Sequence, residues 1–250
     1  MSLRALYDVP APAKLNLFLH VRGRRPDGYH LLESAFMLID WFDTLHFEKR
    51  GDGQVKRHDL GAQLPPTDLC LKAELILKTQ SGCPMGVDIS VLKRIPAQAG
   101  LGGGSSDAAT TLLALNRLWD LRLSQKQLME TGLALGADIP FFLFGQNAWA
   151  GGVGEQLQAI ELPHTRWLVI KPDQGLDTGR IFSDPALRRD TEAAIISDFA
   201  ENPYCYGRND LQQVAEPYCP GVRTALSWLE SVGRSEEHTS ELQSPDHLVC

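Results

Sequence analysis

The first candidate for chemistry is a glycine-rich segment that leads into an Ala- and Leu-rich stretch. Residues 100–106 read Gly-Leu-Gly-Gly-Gly-Ser-Ser, and the stretch from Asp107 to Trp119 predicts a helix directly behind them. Glycines let the backbone approach an anion closely and adopt positive φ, so successive N–H groups can converge on phosphate oxygens. The helix adds the positive end of its dipole. The segment therefore favours phosphate binding, with the Ser105 and Ser106 hydroxyls as ligands of phosphate or magnesium; a flexible glycine connector is the alternative.

Two common phosphate-binding motifs do not fit this segment. A Walker A loop requires Gly-Lys-Ser/Thr, whereas Gly104 is followed by Ser105 without a lysine. A dinucleotide fingerprint would place its third glycine at position 105, which is Ser. The segment thus predicts a nucleotide-phosphate loop of a third kind.

Two charged side chains are candidates for catalysis. Asp138 lies in the run Gly-Ala-Asp-Ile-Pro at 136–140 and can act as a general base toward a substrate hydroxyl. Taken alone, the commoner role is the N-cap of a short helix with Pro140 in its first turn. Lys14 can neutralise phosphate charge or lower the pKa of a neighbouring group, although a strand lysine that only discourages edge pairing is the more frequent case.

An aromatic pair offers a third kind of chemistry. Tyr29 and His30 follow a turn signal at Asp27-Gly28. Their rings can stack on a nucleotide base and hydrogen-bond to it, or they can form a turn with an aromatic plug. The residues themselves leave both interpretations open.

The elements predicted around these residues are of mixed type. Alternation of apolar and polar residues predicts a strand over 13–21 that places Lys14 and Asn16 on one face. Strands over 31–39 and 44–49 follow, with residues 40–43 as their connection. The remaining predicted elements are a helix over 69–79 capped by Thr67 or Asp68 and ended by Gly82, a strand over 87–91, a helix over 124–135 opened by a Ser124/Gln127 capping box with Gly136 at its C′ position, a strand over 167–170, and helices from about residue 190, with Asn209 and Pro220 as start signals.

Composition limits the function classes. The 250 residues are 43% hydrophobic and 22% charged with a net charge of −7, typical of a globular protein and unfavourable for nucleic-acid binding. The five cysteines form no C-x-x-C pair. No apolar run approaches the roughly 18 residues that a membrane span needs, and no signal-peptide pattern opens the chain. A cytoplasmic protein without membrane or nucleic-acid partners is expected.

Three segments together resemble the GHMP kinases, the superfamily of galactokinase, homoserine kinase and mevalonate kinase. The run from Pro96 to Ala109 is similar to that superfamily's phosphate loop. The segments Pro-Ala-Lys-Leu-Asn-Leu at 12–17, Asp-Gly-Tyr-His at 27–30 and Gly-Ala-Asp-Ile-Pro-Phe-Phe at 136–142 resemble more specifically the members of the non-mevalonate isoprenoid pathway that act on a CDP-linked methylerythritol. The resemblance runs from about residue 10 to about residue 233.

The resemblance implies transfer of the γ-phosphoryl group of ATP, with Mg²⁺, to the 2-hydroxyl of the methylerythritol unit. It implies that Asp138 is the base and that Lys14 keeps it ionised and polarises the nucleophile. Asn16, Tyr29 and His30 match residues that hold the cytidine part, and Phe182 matches a ring that sandwiches cytosine against Tyr29. The resemblance also implies which residues bind the ATP phosphates: Pro96, Ala97, Gln98, Ala99, Gly100, Leu101, Gly102, Gly103, Gly104, Ser105 and Ser106. Of these, Ser106 is a possible Mg²⁺ ligand. A GHMP kinase of the homoserine or mevalonate type and a non-catalytic nucleotide-binding protein are the alternatives.

The implied fold is α+β, with two domains of the GHMP kinase type and the active site in the cleft between them. We expect residues 1–160 to form the N-terminal ATP-binding domain and residues 161–233 an incomplete C-terminal domain. The family's later Gly-x-Gly-x-x-x-Phe motif has no match after Trp228, and the polar run at 234–244 resembles translated sequencing adapter. Residues 234–250 are therefore expected to be a non-native tail, and the chain as given to have weak or no kinase activity; a native disordered tail is the alternative.

Overall fold

The computed structural model describes residues 3–97, 100–174, 178–231, 248 and 249. Its mixture of strands and helices confirms the α+β class. The strands are β1 (Ala5–Arg24), β2 (His30–Arg50), β3 (Val55–Asp59), β4 (Gly86–Leu92), β5 (Ala148–Gly151), β6 (Gln156–Ala159), β7 (Val169–Ile170) and β8 (Leu248–Val249). The helices are α1 (Leu69–Ser81), α2 (Gly103–Leu118), α3 (Gln125–Leu133), α4 (Ile139–Phe144), α5 (Thr178–Ser183), α6 (Ile196–Glu201), α7 (Gln212–Tyr218) and α8 (Pro220–Ser231).

The chain forms two compact units that are interleaved along the sequence. The first unit comprises Met1–Ala13, Ile39–Ala97 and Gly102–Gly145, and the second comprises Lys14–Leu38, Gln98–Leu101 and Gln146–Cys250. The long strands β1 and β2 each contribute residues to both units. The assignment of residues 1–160 and 161–233 to the two domains of a GHMP kinase stays a prediction.

The first unit combines strands β3 and β4 and parts of β1 and β2 with helices α1 to α4. Strand β4 lies antiparallel to β2, with Ile89 opposite Phe47, and parallel to β3. Parallel neighbours require a crossover connection, which α1 provides between β3 and β4. Val87, Ile89 and Val91 alternate along β4 and are buried, because successive side chains of a strand point to opposite faces. Helix α1 packs against α2.

The predicted helix signals of this unit are largely confirmed. The side chain of Asp68 caps α1 by accepting a hydrogen bond from Leu71 N at 3.0 Å, and Gly82 ends the helix in a left-handed conformation. Ser124 and Gln127 form the predicted capping box of α3. The C′ assignment of Gly136 is wrong, because α3 ends at Leu133 with Ala134 as its C-cap.

Two predicted boundaries in the first half of the chain are wrong. The expected break at residues 40–43 is absent, because β2 remains one strand that pairs with β5 over 34–36 and with β4 over 44–50. Helix α2 begins at Gly103, four residues before the predicted start. A Cβ on Gly103 would lie 3.0 Å from Ile95 Cγ2, so close packing explains this glycine better than a loop does.

The second unit combines the rest of β1 and β2 with β5 to β8 and α5 to α8. Strand β5 pairs antiparallel with β2, with Trp149 opposite Ala35, and with β6. Strand β7 pairs antiparallel with β8; it is shorter than the predicted strand over 167–170. One buried apolar cluster consists of Leu19, Val21, Ile181, Leu187, Leu211, Val214, Ala215, Cys219, Val222 and Leu229.

The later part of the chain follows the prediction in part. Helix α8 begins at Pro220 as predicted, whereas residues 190–195 are not helical. None of the described helices is long and apolar enough to cross a bilayer. The prediction of a non-native tail at 234–250 concerns residues that lie outside the described part of the chain, apart from the two that form β8.

Candidate active site

The glycine-rich segment enters α2 through two left-handed residues. Gly100 has a φ of +65° and Gly102 a φ of +69°, values that residues with a side chain rarely adopt. Gly102 is the N-cap of α2, and its carbonyl accepts the first helical hydrogen bond from Ser106 N at 2.8 Å. The N–H groups of the first turn, which have no partner within the helix, therefore follow the glycines directly. They lie at the positive end of a 16-residue helix, which suits an anion.

Two buried oxygen atoms at the start of α2 have no hydrogen-bond partner among the described residues. They are Ser106 Oγ and Asp107 Oδ1, and Ser106 is 0% exposed. A buried polar group without a partner costs about 1–3 kcal/mol. Such atoms in native proteins commonly face a bound water, ion or ligand. The two oxygens thus add polar binding capacity to the start of the helix.

A buried ion-pair network ties together the two ends of the glycine-rich segment. Asp43 Oδ1 accepts hydrogen bonds from Arg94 N at 2.5 Å and Ile95 N at 2.8 Å. Lys93 Nζ donates to Asp43 Oδ2 and, at 2.6 Å, to Asp107 Oδ2. Residues 93–95 precede the segment and Asp107 follows it, so the network fixes both ends of the backbone that would hold phosphate.

Burial and neighbouring charges shift the pKa values of Asp107 and Lys93 in this network. Burial and the negative charge of Asp43 raise the pKa of Asp107 to about 7, against the opposing effect of Lys93. Burial lowers the pKa of Lys93, but Asp107 and Asp43 outweigh it, and the pKa of Lys93 lies above its usual value. The lysine therefore remains charged at neutral pH.

Lys14 and Asn16 lie together in β1, as the predicted alternation requires. Lys14 is 4% exposed, and its Nζ donates to Asn16 Oδ1 at 2.9 Å and lies 4.7 Å from the centroid of the Phe36 ring. Lys14 N also donates to the carbonyl of Leu101 in the glycine-rich segment at 3.0 Å. A buried lysine held by these contacts differs from the solvated strand lysine considered as its alternative.

Asp138 occupies the N-cap position of α4 without capping it. Its φ and ψ are −82° and −18°, and its side chain makes no capping hydrogen bond, while Pro140 lies in the first turn. The alternative prediction therefore places Asp138 correctly at the N-cap position. Its expectation that the side chain caps the helix is wrong.

His30 and Phe182 lie side by side in the second unit. Their ring centroids are 5.0 Å apart at an interplanar angle of 31°, although the residues are distant in sequence. Arg189 Nε donates to His30 Nε2 at 3.1 Å. Tyr29 follows Gly28, whose φ is +92°, and its side chain is 61% exposed. An exposed ring is available for stacking, whereas the sandwich of a base between Tyr29 and Phe182 stays a prediction.

The structure thus brings together some of the predicted residues and adds others. It joins Lys14 to Asn16 and His30 to Phe182, and it places residues 103–106 in the first turn of α2. Pro96 and Ala97 precede the turn at Gly100, and Gln98 and Ala99 lie outside the described residues. Within the described chain, no cluster of three or more His, Cys, Asp or Glu residues could hold a metal alone.

Sequence reasoning missed Asp43, Lys93, Asp107 and Arg189. Asp43 was assigned to a connection, and its partner Lys93 lies 50 residues away. Arg189 and His30 are separated by 159 residues. No local spacing signals contacts of this kind.

Comparisons with known proteins agree with this geometry. Residues 68–146 match the GHMP kinases N terminal domain. A solved structure described as 4-(cytidine 5'-diphospho)-2C-methyl-D-erythritol kinase aligns with a TM-score of 0.78 and 31% identity, over 96% of this chain and 88% of that one. A mevalonate diphosphate decarboxylase from Legionella pneumophila shares the fold with a TM-score of 0.65 and 14% identity, over 97% of this chain and 92% of that one.

Curated relatives are closer in sequence. A protein of Albidiferax ferrireducens named 4-diphosphocytidyl-2-C-methyl-D-erythritol kinase is 60% identical over 237 residues, which cover 95% of this chain and 83% of the relative. A protein of Acidovorax ebreus with the same name is 60% identical over 92% of this chain and 83% of the relative.

The fold and the glycine-rich start of α2 are those of a GHMP kinase. Identity of 60% over most of the chain narrows the assignment further. The chain belongs to the 4-diphosphocytidyl-2-C-methyl-D-erythritol kinase family.

Proposed function

We propose that this chain transfers the γ-phosphoryl group of ATP to the 2-hydroxyl of 4-diphosphocytidyl-2-C-methyl-D-erythritol, a step of non-mevalonate isoprenoid precursor synthesis. The observation that carries the proposal is 60% identity to relatives of that name over 83% of their length. The presence of the buried Lys14 and of Asp138 supports an enzyme over a nucleotide binder, which needs no base. A cytoplasmic location stays a prediction.

The start of α2 is the proposed site for the ATP phosphates. The left-handed Gly100 and Gly102 bring backbone N–H groups to the end of the helix without side-chain obstruction. The Asp43–Lys93–Asp107 network holds this backbone in place before ATP arrives. Phosphoryl transfer depends mainly on positioning and charge neutralisation, and a fixed loop supplies the first of these.

The residues at the start of α2 also fit Mg²⁺. This ion usually keeps several waters and takes one or two protein oxygens beside the substrate phosphates. Ser106 Oγ and Asp107 Oδ1 are oxygens without a partner among the described residues, so Ser106 is the proposed ligand and Asp107 its neighbour. Magnesium, when bound, neutralises charge on the phosphate oxygens.

The proton of the attacking hydroxyl is assigned to Asp138. A carboxylate can accept a proton as general base, and the resemblance to the GHMP kinases assigns this role to Asp138. Lys14 is assigned the positive charge that polarises the attacking hydroxyl. The hydrogen bond to Asn16 Oδ1 fixes the direction of the ammonium group.

The cytidine part of the substrate is assigned to Asn16, Tyr29, His30 and Phe182. The exposed Tyr29 ring and the Phe182 ring supply faces on which a base can stack. The His30 imidazole supplies hydrogen-bonding atoms for the base edge. Together these residues would confine the kinase to a cytidine-linked alcohol.

Asp138→Asn tests the proposed chemistry. We expect turnover of the CDP-linked substrate, followed as ADP release, to fall by about 10²–10⁴-fold, the usual effect of a general base. The Kd for a non-hydrolysable ATP analogue, measured by calorimetry, should be unchanged. Asp120→Asn is the matched control, since Asp120 is exposed and pairs with Arg122. Turnover retained in Asp138→Asn would remove Asp138 from the role of base.

A further inference from the structure

Arg189 is held by an unusual set of acceptors beside the proposed base-binding residues. Its Nη1 donates to the carbonyl of Leu187 at 2.9 Å, and its Nη2 donates to the carbonyls of Phe182 at 2.9 Å and Asp184 at 2.8 Å. Its Nε donates to His30 Nε2 at 3.1 Å. Three backbone carbonyls thus fix the guanidinium plane, and the Nε–H group points at the imidazole.

The chemistry of these two side chains fixes the tautomer of His30. A guanidinium group carries only donors and is not deprotonated in proteins. The nitrogen that faces it must therefore be an acceptor, which requires His30 to be neutral with its hydrogen on Nδ1. The opposite tautomer and the imidazolium would each set an N–H against the N–H of Arg189.

The surroundings of His30 also favour the neutral form of its ring. Burial lowers the pKa of His30, and the positive charges of Arg189 and Arg24 lower it further. The ring therefore stays neutral at physiological pH. The Nδ1–H group is then the one hydrogen-bond donor of the His30 ring.

We propose that Arg189 is a positioning residue that holds His30 in the Nδ1–H tautomer and thereby makes the site select cytosine over uracil. The inference rests on the proposed function, because it takes from there the assignment of His30 to the base. Cytosine presents an acceptor at N3, whereas uracil presents an N–H donor at that atom. In the proposed base site, a donor fixed at Nδ1 would pair with N3 of cytosine and oppose the N3–H group of uracil.

The same guanidinium couples base reading to base stacking. It binds the carbonyl of Phe182 at 2.9 Å, and the Phe182 ring lies 5.0 Å from the His30 ring. One side chain therefore sets both the hydrogen-bonding atom and the neighbouring aromatic face. A lysine at this position would lack the planar fork that makes these contacts simultaneously.

The tautomer itself can be measured by ¹⁵N and ¹³C NMR of histidine-labelled protein. In the unsubstituted 250-residue chain, we expect His30 to be neutral with hydrogen on Nδ1 at pH 7. In Arg189→Met, we expect the Nε2–H tautomer to appear and the pKa of His30 to rise. Arg188→Met is the matched control, since Arg188 is half exposed and bonds to Asp190; it should leave His30 unchanged. An Nε2–H tautomer in the unsubstituted chain would overturn the inference, and this measurement needs no variant to fold.

Selectivity is measured with CDP and UDP as probes by titration calorimetry. We expect the unsubstituted chain to bind CDP at least about tenfold more tightly than UDP, because a donor facing a donor leaves both groups unpaired. In Arg189→Met, the ratio of the two Kd values should fall toward one, while Arg188→Met keeps it. An unchanged ratio in a folded Arg189→Met protein would refute the inference.

These measurements distinguish a failure of the proposed base recognition from a failure of the role given to Arg189. If the proposed base recognition is wrong, the unsubstituted chain will not bind CDP, although His30 still shows Nδ1–H. If the role of Arg189 is wrong, CDP will bind with its preference intact, but the tautomer or the ratio will not respond to Arg189→Met.

Discussion

The Asp43–Lys93–Asp107 network is expected to hold the phosphate-binding backbone, and Asp43→Asn tests this directly. Asp43 is 0% exposed, and its carboxylate accepts hydrogen bonds from Arg94 N, Ile95 N and Lys93 Nζ. An asparagine can still accept from the two backbone amides through its oxygen. Its NH₂ group, however, would face the Lys93 ammonium, donor against donor.

The size of the effect follows from what is lost. A hydrogen bond to a charged group contributes about 1.5–3 kcal/mol, and removing one partner of a buried ion pair costs about 3–5 kcal/mol. Lys93 keeps its bond to Asp107 at 2.6 Å, which places Asp43→Asn near the lower end of that range. We expect a loss of about 3 kcal/mol in the free energy of unfolding, a large part of the roughly 5–15 kcal/mol of a typical domain.

Urea unfolding measures the loss in the free energy of global unfolding, and amide hydrogen exchange measures the loss in the free energy of local opening. If the network acts on the backbone ahead of the glycine-rich segment, exchange at Arg94 and Ile95 should accelerate by about 100-fold, since each 1.4 kcal/mol corresponds to a factor of ten. The Kd for an ATP analogue should rise in the same variant. Asp120→Asn, which alters an exposed ion pair, should change none of these quantities. A loss below about 1 kcal/mol with unchanged exchange at both amides would refute the structural role given to Asp43.

Three further outcomes are expected. The pKa of Asp107 is raised from 3.8 to about 7 in the folded protein, so between these pH values the folded state holds a proton that the unfolded state has lost. The stability gained from this proton is lost as the pH rises toward 7. Asp107→Asn should therefore flatten the dependence of the free energy of unfolding on pH in this range, measured by urea unfolding. Gly102→Ala should cost about 1 kcal/mol, because the N-cap has a φ of +69°, and should weaken binding of an ATP analogue; Gly136→Ala, where a Cβ would make ordinary contact at 3.6 Å, should do neither. Replacing residues 234–250 with the corresponding C-terminal segment of the Albidiferax relative should increase ADP release; equal turnover of the two chains would contradict the prediction of a non-native tail.

Local signals predicted local structure well. Asp68 and Gly82 bound α1, and Ser124 with Gln127 opens α3, because capping depends on residues within one turn of each other. The prediction divides strand β2 at residues 40–43, a segment that begins and ends with an aspartate. Pairing with β4 and β5 keeps it continuous, and that pairing is not visible in a local window.

The candidate site likewise contains features that local sequence predicts and contacts that it does not. The glycine-rich segment and its helix could be predicted because glycine conformation and helix dipoles act locally. The partners of Lys93 and His30 come from residues 43, 107 and 189. Such contacts depend on the completed fold, so the sequence provides the reactive groups but not the side chains that orient them.

The reaction proposed for this chain is the phosphorylation of a cytidine-linked alcohol. The most direct measurement is ADP release with 4-diphosphocytidyl-2-C-methyl-D-erythritol, mevalonate and homoserine as alternative substrates, using the 250-residue chain and the chain with the Albidiferax C-terminal segment. We expect ADP release with the cytidine-linked substrate alone, and more of it from the second chain. A kcat/KM for mevalonate or homoserine that equals or exceeds that for the cytidine-linked substrate would contradict the account.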